Sequence, residues 1–151
     1  KTPEEIARIS GKVAEAGISI VVLPTTNLYL QGRDKTRPAR GMAPIKALQA
    51  AGVNVVIGTD NVQDAFYPLG RFDPFHAFEL AVATAHLPQP VEQHLGMISI
   101  SASQAMGETP QWVDRAEIGQ LQLFEVRSIA EISSARKSPI SVEQYLRDLH
   151  T

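Results

Sequence analysis

The sequence predicts an α/β fold with a parallel sheet, and two observations carry this prediction. Residues 18–24 and 53–58 are apolar throughout rather than alternating, which is typical of strands buried on both faces of a parallel sheet. Each segment follows a predicted helix and ends in a polar loop, so the elements have the αβαβ order of such sheets. In folds of this class, active sites lie beyond the carboxyl ends of the strands.

The elements around the first strand are predicted by local signals. Thr2 is a suitable helix cap, Glu5 completes a capping box, and Gly17 is a natural stop for the helix between them. Residues 25–41 are predicted to form a long polar loop, and such long loops are often functional. Residues 42–52 are predicted to form a short helix closed by a glycine.

The elements after the second strand are predicted in the same way. A polar loop covers residues 59–70, and a helix capped by Asp73 runs to about His86. The remaining predicted elements are one or two helices, a strand and a terminal helix, at residues 91–107, 121–126 and 141–150.

Composition indicates one ordinary globular protein. The chain has 151 residues, of which 44% are hydrophobic and 20% charged, and its net charge is -2. This balance does not predict nucleic acid or a membrane surface as a partner, and no apolar run reaches the roughly 18 residues of a membrane span. The chain has no cysteine and no signal-peptide layout, so a cytoplasmic location is expected. The first residues read as if cut from a longer chain.

The strongest candidate for chemistry is Asp60, which follows the second predicted strand directly. An aspartate in such a position also commonly caps a turn, and that alternative stays open. The four histidines lack metal-ligand spacing and are interpreted as surface or capping residues. A catalytic metal needs at least three protein ligands, which this pattern does not supply. The basic residues of the long loop, interpreted as solvated, are Arg33, Lys35, Arg37 and Arg40.

Two long stretches carry a resemblance to a known family. VVLPTTNLYLQGRD, at 21–34, and RGMAPIKALQAAGVNVVIGTDNVQDAFYPLG, at 40–70, resemble the cytosine deaminase branch of the metal-dependent amidohydrolase superfamily. The resemblance covers roughly residues 3–107. It implies the C-terminal part of a (β/α)8 TIM barrel, with the last two βα units in residues 1–107. Residues 108–151 would form a tail with a β-sandwich remnant and a terminal helix.

The resemblance also implies roles for single residues. Asp60 matches the aspartate that binds the catalytic metal, iron or zinc, and takes a proton from the metal-bound water. Asn61 matches a polar residue that faces the substrate ring, and Phe66 matches an aromatic wall of the pocket. Asn27 and Gln31 belong to the loop that frames the pocket. The expected substrate is a small pyrimidine-like ring whose exocyclic amine is hydrolysed.

Two hypotheses follow for the chain as a whole. The family's metal-binding histidines precede the segment that this sequence matches, so the chain resembles the last quarter to third of such an enzyme. In the first hypothesis it completes a deaminase together with an N-terminal barrel segment. In the second it is an inactive fragment or interaction module that buries its strand edges by forming a homo-oligomer. The isolated chain is expected to be inactive and to hold no metal.

Overall fold

The structure, a computed structural model, describes residues 1–36, 41–135 and 138–150. The chain divides into two compact units, residues 1–109 and residues 110–151. The division lies two residues beyond the boundary that the sequence indicates at residue 107. Among the described residues, no helix is long and apolar enough to cross a membrane.

Among its described residues, the first unit contains two strands, five α-helices and a 3-10 helix. The strands are β1 (Ile20–Val22) and β2 (Val55–Ile57). The α-helices are α1 (Pro3–Glu15), α2 (Pro24–Leu30), α3 (Ile45–Ala50), α4 (Pro74–Ala85) and α5 (Ile100–Ala105), and the 3-10 helix is Val91–Ile98. The predicted α/β character of this unit is confirmed.

Strands β1 and β2 pair in parallel, as the sequence predicts. Ile20 lies opposite Val55 and Val22 opposite Ile57. The pairing continues one residue beyond the strands, because the backbone N–H of Gly58 donates to the carbonyl of Val22 at 2.9 Å. The two carboxyl ends therefore lie at the same edge of the sheet, and the segments that leave them start side by side.

The helix boundaries follow the local signals in the sequence. The capping box of α1 is formed: the Thr2 hydroxyl accepts from the backbone N–H of Glu5 at 3.3 Å, and the Glu5 carboxylate accepts from the N–H of Thr2 at 3.0 Å. Gly17 follows with φ of 63°, which glycine adopts without steric cost. Asp73 caps α4 by accepting from the N–H of His76 at 3.0 Å.

The predicted long loop at 25–41 is partly wrong, because α2 begins directly after β1. Pro24 occupies the first turn of this helix, where its missing N–H costs no hydrogen bond. Thr25 and Thr26 are buried, and α2 packs against α4. Contacts with a distant helix therefore make a segment helical that its polar composition indicates as loop.

The core lies between β2 and the helices. Every residue of β2 is buried, as predicted, and Phe78 of α4 is the largest fully buried side chain. The prediction that residues 18–24 are buried on both faces is wrong for two side chains. Ile18 is 52% exposed and Val21 is 51% exposed. Within the part of the chain that the structure describes, strand β1 has a sheet neighbour at one edge only, which leaves part of its surface open.

The second unit is small, and its described residues form little strand structure. It contains the 3-10 helix Ile118–Gln120, strands β3 (Gln122–Leu123) and β4 (Ile140–Ser141), and helices α6 (Ile129–Ala135) and α7 (Val142–Asp148). The predicted strand at 121–126 is thus reduced to two residues, which pair antiparallel with β4. This ladder is too short for the expected β-sandwich remnant. The predicted terminal helix is confirmed, with the Ser141 hydroxyl accepting from the N–H of Gln144 at 3.1 Å.

Candidate active site

The segments that follow β1 and β2 contact each other at the carboxyl edge of the sheet. The Thr25 hydroxyl donates to the carbonyl of Thr59 at 2.9 Å. The rings of Tyr29 and Tyr67 lie 5.3 Å apart at 59°, within the range of attractive aromatic pairs. The guanidinium of Arg33 lies over the Tyr29 ring, 4.7 Å from its centroid. We call this region, residues 24–36 and 58–73, the strand-end site.

Asp60 stands three residues beyond β2 in an unusual backbone conformation. Its φ is 59°, in the left-handed region that few residues other than glycine adopt. Aspartate tolerates this region better than most side chains, and such conformations cluster at functional sites. The side chain is exposed at the edge where the two strand-end segments meet. The sequence prediction of a carboxylate beyond the end of β2 agrees with this position.

Asn61 is joined to Asp64 by a short hydrogen bond within the second segment. The Asn61 amide nitrogen donates to Oδ2 of Asp64 at 2.5 Å. The other oxygen, Oδ1, accepts from the backbone N–H groups of Phe66 and Tyr67, each at 2.9 Å. One carboxylate thus anchors the Asn61 side chain and closes the turn that carries the two aromatic residues.

Gly70 packs its backbone directly against this turn. A Cβ atom at Gly70 would overlap the carbonyl oxygen of Asn61 and lie 2.8 Å from Cα of Val62. These neighbours are backbone atoms, which cannot turn aside as a side chain does. Only glycine therefore allows the end of the segment to approach its beginning so closely.

The other predicted substrate-contacting residues divide between the two segments. Phe66 is 59% exposed, so most of its ring is available for contact. Asn27 is half-buried in α2, and its carbonyl accepts from the N–H of Gln31 at 3.0 Å. The side-chain oxygen of Gln31 accepts from the N–H of Gly41 at 2.7 Å, which ties it to the loop that precedes α3. The hydrogen bonds of Asp64 bring Asn61 and Phe66 together, while Asn27 and Gln31 lie on the facing segment.

The pKa of the Asp64 carboxyl lies below its ordinary value, because the N–H of Tyr67 and the amide of Asn61 donate to the ionised form. Because this pKa is lowered in the folded state, the stabilisation of the turn by the carboxylate is fully present above the ordinary aspartate pKa of about 3.9. This stabilisation is lost as the pH falls through the lower pKa of the folded state. We therefore expect the amide signals of Phe66 and Tyr67 in 1H–15N NMR spectra to stay constant from neutral pH through that range and to move only below it.

The control for this titration is Asp64→Asn, which removes the titrating group and keeps an oxygen that accepts from the same N–H groups. In this variant, the backbone amide signals of Phe66 and Tyr67 are expected not to change with pH in this range. A midpoint at or above the ordinary aspartate value in the unmodified chain would contradict the prediction.

Residues of the described ranges do not form a complete metal site. Within those ranges, no three His, Asp or Glu side chains come together as a possible set of ligands. A divalent metal therefore does not fit these residues alone, and Asp60 offers one carboxylate. His94, for which a surface or capping role is predicted, is buried instead: it is only 9% exposed, and its Nε2 lies 3.1 Å from the carbonyl of Pro88. Of the basic loop residues, Arg37 and Arg40 lie outside the described residues.

Sequence reasoning misses several residues that build the site. The pattern around Asp64 indicates only a polar loop residue, although an aspartate two residues before a turn is a known signal for accepting the following N–H groups. Other residues of the site make contacts with residues far along the chain. Thr25 bonds to a residue 34 positions away, and Tyr29 pairs with Tyr67 of the facing segment, so no local pattern marks these residues.

Comparisons with known proteins agree with this architecture. The model of the Amidohydrolase family matches residues 2–112. A pterin deaminase from Rhizobium rhizogenes is 37% identical in an alignment 131 residues long that covers 83% of this chain and 30% of the relative. The chain thus spans about a third of the length of the curated relative that it matches. It belongs to the amidohydrolase family.

Two solved structures share the fold. A 5-methylcytosine deaminase from Klebsiella pneumoniae, liganded with 5-fluorocytosine, aligns with a TM-score of 0.63 at 23% identity, over 70% of this chain and 26% of the other. N-isopropylammelide isopropylaminohydrolase from Burkholderia multivorans aligns with a TM-score of 0.68 at 22% identity, over 94% and 35%. The predicted resemblance to deaminase-like, metal-dependent amidohydrolases is confirmed.

Proposed function

We propose that this chain supplies the strand-end site of a hydrolase that removes an exocyclic amine from a nitrogen-containing aromatic ring. The observation that carries the proposal is Asp60, held in a left-handed conformation beyond β2 in a chain of the amidohydrolase family. Strands β1 and β2 would be neighbouring strands of a (β/α)8 barrel, since they are parallel and in register. The other strands would come from residues outside this chain.

In the proposed reaction, the main contribution of this chain is a group that carries a proton. In hydrolytic deamination the oxygen of water bonds to the ring carbon that bears the amine, the C–N bond breaks, and one proton of the water leaves with the nitrogen as ammonia. A carboxylate can accept that proton and return it to the departing nitrogen. We assign this role to Asp60. It would also be this chain's one ligand to a divalent metal, iron or zinc, with the remaining ligands outside these residues.

The proposed substrate is a flat, amino-substituted pyrimidine-like ring. Asn61 would meet a polar edge of the ring, and Phe66 would cover one face, with Asn27 and Gln31 on the opposite segment. The pterin deaminase relative favours pterin, which contains an aminopyrimidine ring, as the first substrate to assay. Cytosine is the second, because the fold is shared with a 5-methylcytosine deaminase.

A second candidate function is an interaction module, and the exposure of Ile18 and Val21 beside the open edge of β1 favours it. A second copy of the chain would then cover this edge. In that case Asp60 would have no chemical role.

One experiment separates the two candidates. A chimera of the Rhizobium rhizogenes pterin deaminase would carry this chain in place of its own matched segment. The first candidate predicts that the folded chimera releases ammonia from pterin. The second predicts a folded but inactive chimera and a dimer of the 151-residue chain in sedimentation equilibrium. A folded, inactive chimera together with a monomeric chain would contradict both.

A further inference from the structure

The two oxygens of the Asp64 carboxylate have different hydrogen-bond partners. Oδ1 accepts from two backbone N–H groups and so closes the turn, whereas Oδ2 accepts only from the Asn61 side chain among the hydrogen bonds described above. The turn would need one oxygen only. The second oxygen therefore has a separate effect, which is to hold the Asn61 amide.

The chemistry of the pair determines which way the Asn61 amide faces. An ionised carboxylate accepts hydrogen bonds and donates none, so the nitrogen of Asn61 must face Asp64. The pKa of Asp64 lies below its ordinary value, and the group is ionised at neutral pH. The carbonyl oxygen of the Asn61 amide then faces away from Asp64. Asn61 consequently presents a hydrogen-bond acceptor rather than a donor on that side.

The backbone beneath Asn61 is held as well. The close approach of Gly70 to the carbonyl of Asn61 limits movement of that peptide group. Tyr67, whose N–H is bound by Asp64, packs its ring against Tyr29 of the facing segment. Side chain and backbone of Asn61 are thus fixed by independent contacts, which is the support that a substrate-contacting residue needs.

We propose that Asp64 is a positioning residue that holds the Asn61 carbonyl oxygen as an acceptor, so that the substrate edge meeting Asn61 carries an N–H or NH2 donor. Asp64 itself touches no substrate. The inference rests on the proposed function for the substrate. The orientation of the Asn61 amide is a property of the chain and is testable without activity.

The first test is NMR of the 151-residue chain, observing the side-chain amide protons of Asn61. One of them is expected to lie downfield and to exchange slowly with water, because it is bound to Oδ2. In Asp64→Asn the introduced side chain keeps an oxygen for the turn and turns its own NH2 group toward Asn61. Two donors would then face each other, so the Asn61 amide should flip. The protected proton should then belong to the introduced amide at position 64 instead of to Asn61.

Asp114→Asn is the matched control, because Asp114 is 72% exposed and lies outside the strand-end site. It is expected to leave the Asn61 signals unchanged. Unprotected Asn61 amide protons in the unmodified chain, or signals that stay the same in a folded Asp64→Asn chain, would overturn the proposal.

The second test uses kinetics of the chimera with pterin. Asp64→Asn is expected to raise KM by about 10-fold, the effect of one lost hydrogen bond to substrate, with a smaller change in kcat. The exchanged pair Asn61→Asp with Asp64→Asn restores an acceptor toward the substrate and a donor–acceptor contact between the two residues. It is therefore expected to lower KM again, which a purely structural role of Asp64 does not predict.

The two tests fail in different ways. A KM unchanged by Asp64→Asn, or an exchanged pair no better than Asp64→Asn alone, would overturn the substrate part of the proposal. A chimera without any deamination would contradict the proposed function, and the NMR result would still decide whether Asp64 orients Asn61.

Discussion

Replacing Asp60 with asparagine in the chimera is expected to lower kcat for pterin deamination by a factor of about 10²–10⁴, the usual contribution of a positioned acid or base. Asparagine has nearly the shape of aspartate but cannot take up and return a proton. It also tolerates the left-handed backbone that Asp60 adopts, with φ of 59°. The substitution therefore removes the carboxylate without introducing new strain at this position.

The effect should appear in kcat more than in KM, because proton transfer belongs to the transition state rather than to substrate binding. The metal content of the variant is the second measurement, since Asp60 is also proposed as one ligand. Asp114→Asn, at an exposed carboxylate outside the strand-end site, is expected to leave kcat and metal content unchanged. A chimera with Asp60→Asn that turns over at the unmodified rate would remove Asp60 from the mechanism.

Replacing Gly70 with alanine is expected to destabilise the chain by about 1–3 kcal/mol, as overpacking of a close contact does. The new Cβ would overlap the Asn61 carbonyl oxygen and crowd Cα of Val62 at 2.8 Å, so the backbone of the segment must move. Urea unfolding followed by circular dichroism measures the loss. The same movement should disturb Asn61, so the chimera should also bind pterin more weakly.

Gly11→Ala provides the matched control for this change. Gly11 lies in the middle of α1, and nothing within 4 Å would meet a Cβ atom there. Alanine loses less conformational freedom on folding than glycine, so Gly11→Ala should stabilise the chain by about 0.5–1 kcal/mol. Equal effects of the two substitutions would show that the close approach of Gly70 is not important for stability.

The sequence predicts the parts of the fold that depend on neighbours along the chain. The capping box of Thr2 and Glu5, the Asp73 cap and the Ser141 cap are formed as predicted, because each is a hydrogen bond across three residues. The parallel pairing of β1 with β2 is predictable as well, since two apolar segments separated by a helix have few other arrangements.

The predictions that are wrong involve contacts between distant residues. The sequence predicts a loop where α2 lies, because the polar residues of this helix become buried only when α4 packs on it. It predicts a surface or capping role for His94, which is buried because its 3-10 helix packs against β2 and α4. It predicts an interior position for Val21, but burial of a strand face requires a neighbour that the strand's own residues do not specify.

The residues of the candidate site show the same distinction between local sequence features and contacts formed by the fold. By itself, the sequence determined that a carboxylate, Asp60, follows a buried strand in a chain of the amidohydrolase family, because those features can be read from consecutive residues. Only the tertiary structure decided that the Asp64 carboxylate accepts from the Asn61 amide, that Gly70 closely approaches the Asn61 carbonyl, and that the two strand-end segments meet. These contacts depend on the path of the backbone in space, since atoms become neighbours through the parallel register of β1 and β2 rather than through sequence spacing.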